Sequence, residues 1–156
     1  MSLRAKALAL IASVAVFSVP ALADDHDGRG DNRPFSFAVI GDWPYSQTLL
    51  NNAHLLVNSI NDQKVDLVVH VGDIHSGSMP CTGAYTLPPL ATSNPGWNQS
   101  VFHAFQQFEA PLVYTPGDNE WADCHKSKQF SSGHPLRELA SVRELFFSRP
   151  GVTLGR

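Results

Sequence analysis

Three apolar, strand-like runs in this chain each end on the dipeptide Gly-Asp: Phe37 leads to Gly41-Asp42, Leu67 to Gly72-Asp73 and Leu112 to Gly117-Asp118. If the runs are neighbouring strands of one sheet, three carboxylates gather at a common edge, where their repulsion must be offset by bound cations. Glycine before each aspartate lets the backbone turn sharply as the strand ends. Strand context carries this signal, because Gly30-Asp31 is a fourth such dipeptide in a polar stretch with no strand before it. The competing reading is that each aspartate caps the helix or turn after its strand.

Between the strands the pattern turns helical. Ser46 to Asn61 carries Leu49, Ala53, Leu56 and Ile60 at helical spacing, with Ser46 placed to cap the first turn. Val65 to Val71 is almost continuously apolar, which predicts a strand covered on both faces. A long segment from Ile74 to Trp97 follows, broken by Gly77, Pro80, Gly83, Pro88, Pro89, Pro95 and Gly96. Asn98 to Glu109 returns to helix with Val101, Phe102, Phe105 and Phe108 on one side, a stripe that reads as core. Leu112 to Thr115 is the third strand, and a final helix runs from Pro135 to Phe147 until Pro150-Gly151 stops it. The β-α-β-α-β alternation predicts an α/β fold with three mainly parallel strands, and ligands beyond their carboxyl ends.

The first 23 residues read as an export signal. Arg4 and Lys6 precede an apolar run from Ala7 to Val19, and Ala21-Leu22-Ala23 supplies a small-residue cleavage pattern. The apolar run is shorter than the ~20 residues of a membrane-crossing helix, so the expected product is exported, periplasmic or secreted, without a stable membrane anchor; the alternative is an uncleaved anchor. Residues 24–34 read as a disordered linker, leaving 35–156 as the folded part. Removing the signal leaves nine Lys and Arg against fourteen Asp and Glu, moving the formal net charge from -3 to -5. With no basic stripe to neutralise phosphates, nucleic acid is not an expected partner, whereas a small phosphate ester remains compatible because bound metal would reverse the local charge. The oligomeric state is left open.

Two cysteines, Cys81 and Cys124, would meet oxidising conditions in an exported protein, which predicts a disulfide between two long loops. The weaker alternative is a pair of free thiols with one ligating metal, since neither has a Cys or His neighbour at zinc-finger spacing.

Taken together, Gly41-Asp42-Trp43-Pro44-Tyr45, Gly72-Asp73-Ile74-His75 and Gly117-Asp118-Asn119-Glu120-Trp121 resemble, in order and spacing, the first three blocks of the calcineurin-like metallophosphoesterases, which include the purple acid phosphatases. Val69 to Ile74, Tyr114 to Trp121 and Pro150 to Gly155 are similar to an exported bacterial branch of that superfamily. The resemblance implies the front half of a metallophosphoesterase-type α/β sandwich and hydrolysis of phosphate esters at a centre of two divalent ions, Mn, Fe, Zn or Mg. Asp42 would be a ligand of one ion, Asp73 the bridge, and Asp118 a ligand of the second. Two such ions acidify a shared water and hold the phosphoryl oxygens.

The departures from the pattern are specific. The family's His two residues after the first Asp is here Pro44, which cannot coordinate, and the purple acid phosphatase Tyr after the second Asp is here Ser76. His75, one residue earlier, is the candidate substitute ligand, against the reading of a solvated loop imidazole. Where the family commonly has Gly-Asn-His, this chain has Asp118 and Asn119, so proton donation falls to His125 in the same loop, or charge is stabilised by the Asn119 amide. The downstream His and Gly-His-x-His blocks do not occur, which implies the N-terminal half of a larger domain, truncated at its C-terminus. Three carboxylates with at most one imidazole are few for two ions, so the ions are expected to be weakly bound or absent and turnover low. A non-catalytic exported binding module is the competing function. His70, inside an apolar strand, reads as core. Glu120 reads equally as an orienting group or a turn cap, and Trp43, Tyr45 and Trp121 as substrate contacts or as filling at the mouth of the sheet.

Overall fold

The computed structural model describes residues 34–81 and 96–156, together with the backbone of 15–19. The cleavage point after Ala23, residues 24–33 of the linker and the middle of the long loop, 82–95, lie outside the described residues.

Strand β1 spans Ala15–Val19, β2 Phe35–Ile40, β3 Leu67–His70, β4 Pro111–Tyr114 and β5 Leu154–Gly155; they form one sheet in the order β1-β2-β3-β4-β5. The middle trio β2, β3 and β4 is parallel, aligned Ala38↔Val68↔Leu112 and Ile40↔His70↔Tyr114. This is the α/β arrangement expected from the alternation. Two antiparallel edge strands join it. β5 pairs with β4, and β1 pairs with β2 from within the apolar run that reads as an export signal. The β-favouring sequence AVFSV and the otherwise open edge of β2 account for that pairing.

Helices α1 (Gln47–Asn51) and α2 (Ala53–Asp62) fill the first crossover, α3 (Trp97–Phe105) the second, and α4 (Pro135–Phe146) follows β4. The single helix expected from Ser46 to Asn61 is thus two. Asn52 turns its side-chain amide onto the Thr48 carbonyl at 2.8 Å, competing with the helical ladder at that point. Ser46 does cap α1, its hydroxyl accepting from Leu49 N at 3.2 Å.

The sheet is two-sided. Ala38, Ile40, Val68, His70, Leu112 and Tyr114 are buried, whereas Val39 and Val69 are half-buried and Val113 exposed. The expectation of a β3 covered on both faces is therefore corrected. Alternate residues are buried because one face carries the shared apolar core with Val57 and Ile60 of α2, Trp97, Val101 and Phe105 of α3, and Val142 and Phe146 of α4. A continuous apolar run is compatible with either arrangement. Directly beneath the carboxyl ends, His70, Phe105, Tyr114 and Phe146 form an aromatic cluster with ring centroids 4.9–5.9 Å apart.

Cys81 and Cys124 form the expected disulfide, both residues buried, with Cα atoms 5.5 Å apart. It closes a sequence separation of 43 residues, a loop for which the chain-entropy account gives about 4 kcal/mol. Cys81 N donates to Ser132 Oγ at 2.9 Å, so the same two loops are joined twice. Replacing both cysteines by serine should lower the unfolding free energy by about 2–4 kcal/mol in urea denaturation. An unchanged midpoint would show that the bridge adds nothing to the packing around it.

Candidate active site

Each of the three parallel strands delivers its aspartate just past its carboxyl end, and the backbone there is unusual. Asp42 and Asp73 themselves adopt left-handed conformations, with φ of 52° and 60°. Aspartate tolerates this region better than most residues, but such conformations cost energy and cluster at functional sites. The turn is thus shared between glycine and aspartate: Gly72 has φ 107°, while neither Gly41 nor Gly117 has positive φ. What Gly117 supplies is room, because a β-carbon there would overlap the Asp73 carboxylate and stand 2.6 Å from Asp73 N.

Asp42 and Asp73 meet at one phenol. The Tyr45 hydroxyl hydrogen-bonds to Asp42 Oδ1 and lies 3.1 Å from Asp73 Oδ2. Burial first, and then the Asp42 hydrogen bond and the charge of Asp73, hold the phenol proton far above its ordinary range. Asn119 reaches the same centre: its backbone N–H donates to Asp73 Oδ1 at 3.2 Å, and its side-chain amide donates to Asp73 Oδ2 at 3.0 Å and to the His75 carbonyl at 3.1 Å. The Asp73 carboxyl is raised above its ordinary value, chiefly by burial and further by the like charges of Asp118 and Asp42, against the lowering effect of Asn119 and Tyr45. Asp118 is exposed at the rim. The structure thus brings Asp42, Asp73 and Asn119 into one hydrogen-bonded group through Tyr45, with Asp118 close enough to act on Asp73.

Two predicted site residues lie elsewhere. His75 is fully buried, its Nε2 held 2.6 Å from Asn98 Oδ1 and its ring beside Trp97. It is neither a solvated loop imidazole nor, in this position, turned onto the carboxylates. His125 is exposed, with Nδ1 donating to the Ala122 carbonyl at 2.9 Å, a local turn contact.

Other groups hold the loops in place. Glu120 is buried, and its Oε1 accepts from Ile74 N at 2.9 Å and from the Tyr114 hydroxyl at 2.8 Å, locking the second and third loops together. Burial pushes its carboxyl up to about 7. Gln129, also buried, donates to the Asn119 carbonyl at 3.2 Å. His70 donates from Nε2 to the Trp43 carbonyl at 2.8 Å and accepts from Gly72 N at 3.1 Å, so a core histidine fixes both the first and second loops. Sequence reasoning singled out Tyr45 and Glu120 without assigning them, and it missed Asn98 and Gln129, whose partners are 23 and 10 residues away and share no periodicity with them.

Burial pushes the imidazoles of His70 and His75 down to about 4, against the raising effect of their hydrogen bonds to Trp43 and Asn98. Unfolded, each binds a proton below about pH 6.5; folded, neither does until about pH 4. Each therefore contributes stability that is whole above pH 6.5 and lost as pH falls toward 4, at about 1.4 kcal/mol per pH unit. Glu120 acts in the opposite sense between about 4.5 and 7, since its raised carboxyl favours the fold while protonated. Proton NMR should find two imidazoles whose C–H resonances stay fixed between about pH 7.5 and 5; titration of every imidazole in that window would contradict this packing.

The ligand-type atoms at the site are carboxylate oxygens, which suit hard divalent cations, whereas Asn119 and Tyr45 present hydrogen-bond donors to them. Asp42, Asp73 and Asp118 are the side chains that could hold such ions, but among the described residues no three His, Cys, Asp or Glu groups are arranged to hold one ion. When bound, divalent cations at such a site supply Lewis acidity and a readily ionised water. The mostly parallel sheet with its helices is an α/β arrangement consistent with a phosphoesterase-type fold. The chain belongs to the calcineurin-like phosphoesterase family, whose model matches residues 35–153. No curated protein and no solved structure matches it. Members of this family typically bind divalent metals and act on phosphate esters.

Proposed function

We propose that this chain is a metal-dependent hydrolase of small phosphate esters, belonging to an exported branch related to the purple acid phosphatases. The observation that carries the reading is the convergence of Asp42 and Asp73, from adjacent parallel strands, on the Tyr45 hydroxyl, with Asp118 close enough to act on Asp73. Asp42, Asp73 and Asp118 serve as metal ligands, and Asn119 orients Asp73 through its amide. Export is supported by the Arg4, Lys6 and Ala21-Leu22-Ala23 pattern and by the Cys81–Cys124 bridge, which persists in oxidising compartments. No helix among the described residues is long and apolar enough to cross a membrane.

The test is hydrolysis of an aryl phosphate monoester by the full chain after chelation and after addition of Mn. Activity that disappears with chelation and returns with the metal supports the reading; indifference to both removes it. A second reading, a binding module that keeps the scaffold without turnover, draws on the absence among the described residues of a three-ligand group and on the commitment of His75 to Asn98. Metal-dependent capture of phosphate with no product formed would favour it.

A further inference from the structure

Resting on the reading just given, we propose that Lys128 binds the phosphoryl group of the incoming ester and biases the site toward doubly charged phosphate monoesters. Lys128 lies in the 3-10 turn Ser127–Gln129 that follows the disulfide-bonded Cys124. Its neighbour Gln129 is buried and donates to both the carbonyl and the side-chain oxygen of Asn119, at 3.2 and 3.4 Å, so the backbone carrying Lys128 is pinned against the third loop. The amine then lies beside Gly77 of the second loop. A β-carbon on Gly77 would stand 3.0 Å from Asn119 Oδ1 and 3.4 Å from Lys128 Nζ, so both the amine and the amide that contacts Asp73 pack close against this one glycine.

The charge arrangement points the same way. Lys128 Nζ pairs with Asp123 Oδ2 at 2.9 Å, while Lys126 Nζ takes Asp123 Oδ1 at 2.6 Å, so two ammonium groups share one carboxylate and a positive charge is left over. Asp123 foremost, and then the fields of Asp118 and Asp73, keep Lys128 protonated. Its side chain is half exposed and open to a ligand. Cations held by Asp42, Asp73 and Asp118 would balance those three carboxylates, and an additional ammonium at the rim would then favour a ligand with a second negative charge. A monoester near neutral pH carries that charge; a diester does not. No bond is made or broken at Lys128, whose part is to hold and orient.

The experiment uses the full chain with Mn added and measures inorganic phosphate binding by calorimetry, together with KM for an aryl phosphate monoester and an aryl phosphate diester. Lys128→Gln should weaken phosphate binding about tenfold and raise KM for the monoester far more than for the diester, with Lys128→Arg recovering most of the loss. Lys126→Gln, which removes the other partner of Asp123, should change phosphate binding by less than about twofold. Unaltered phosphate affinity in Lys128→Gln, an equal loss in Lys126→Gln, or a wild-type chain that takes up Mn but no phosphate would each overturn the assignment while leaving metal binding intact. A chain that takes up no Mn at all removes the hydrolase reading and this inference with it.

Discussion

Replacing Asp73 by asparagine is expected to lower kcat/KM for an aryl phosphate by on the order of 10³-fold, equivalent to about 4 kcal/mol of barrier, without unfolding the protein. Asparagine is the replacement that separates charge from shape. It accepts the left-handed φ of 60° at this position, as aspartate does, and its carbonyl oxygen can still receive the Asn119 backbone N–H. What disappears is the negative charge and one acceptor, because the amide nitrogen that replaces Oδ2 cannot accept from the Asn119 side chain. In metal-free protein the raised Asp73 carboxyl marks an ionised group that the fold holds at a cost, and its relief should offset the lost Asn119 hydrogen bond, so the variant should melt close to the wild-type temperature. Kinetics with added Mn, metal content and thermal melting together check the prediction. Full activity in a variant that binds less metal would remove Asp73 from the centre of the chemistry.

Gly117→Ala should be as damaging by a different route, costing about 3 kcal/mol of stability and most of the metal affinity. The added methyl would fall on the Asp73 carboxylate and 2.6 Å from Asp73 N, and a backbone atom cannot move aside as a side-chain tip can. Gly41→Ala is the control. A β-carbon there would meet Val71 Cγ2 at 2.5 Å, the end of an exposed side chain that can rotate away, and the cost should stay below about 1 kcal/mol. Urea midpoints and metal titration of the two variants read the difference. Equal, small effects would mean that the third loop relaxes without disturbing Asp73.

The parts legible in the sequence are those written in local pattern. Apolar runs ending in Gly-Asp located the three parallel strands and their aspartates, helical spacing located the helices, Ser46 announced its cap, and the cysteine pair announced its bridge. What could not be read depends on partners distant in the chain. Whether Val65 to Val71 is covered on one face or two is decided by where helices pack, not by its own composition. His75 follows Asp73 by two residues and so reads as a candidate ligand, yet Asn98 and Trp97, more than twenty residues on, give its ring a buried hydrogen-bond partner and a tilted aromatic neighbour. Tyr45 is three residues from Asp42, but its contact with Asp73 exists only because β2 and β3 are neighbours. Lys128 carries no motif; its placement comes from Gln129 and from the loop that Cys124 anchors.

The side of the sheet that, among the described residues, the helices do not pack against also bears on how the protein behaves in bulk. Val39, Val69 and Val113 lie in register across β2, β3 and β4, a β-branched stripe only partly shielded from water. Colloidal behaviour should therefore depend on how crowded the solution is. Dilute samples would remain dispersed, whereas concentrated ones would lower their interfacial free energy by laying stripe against stripe, well below the temperature at which the core itself melts.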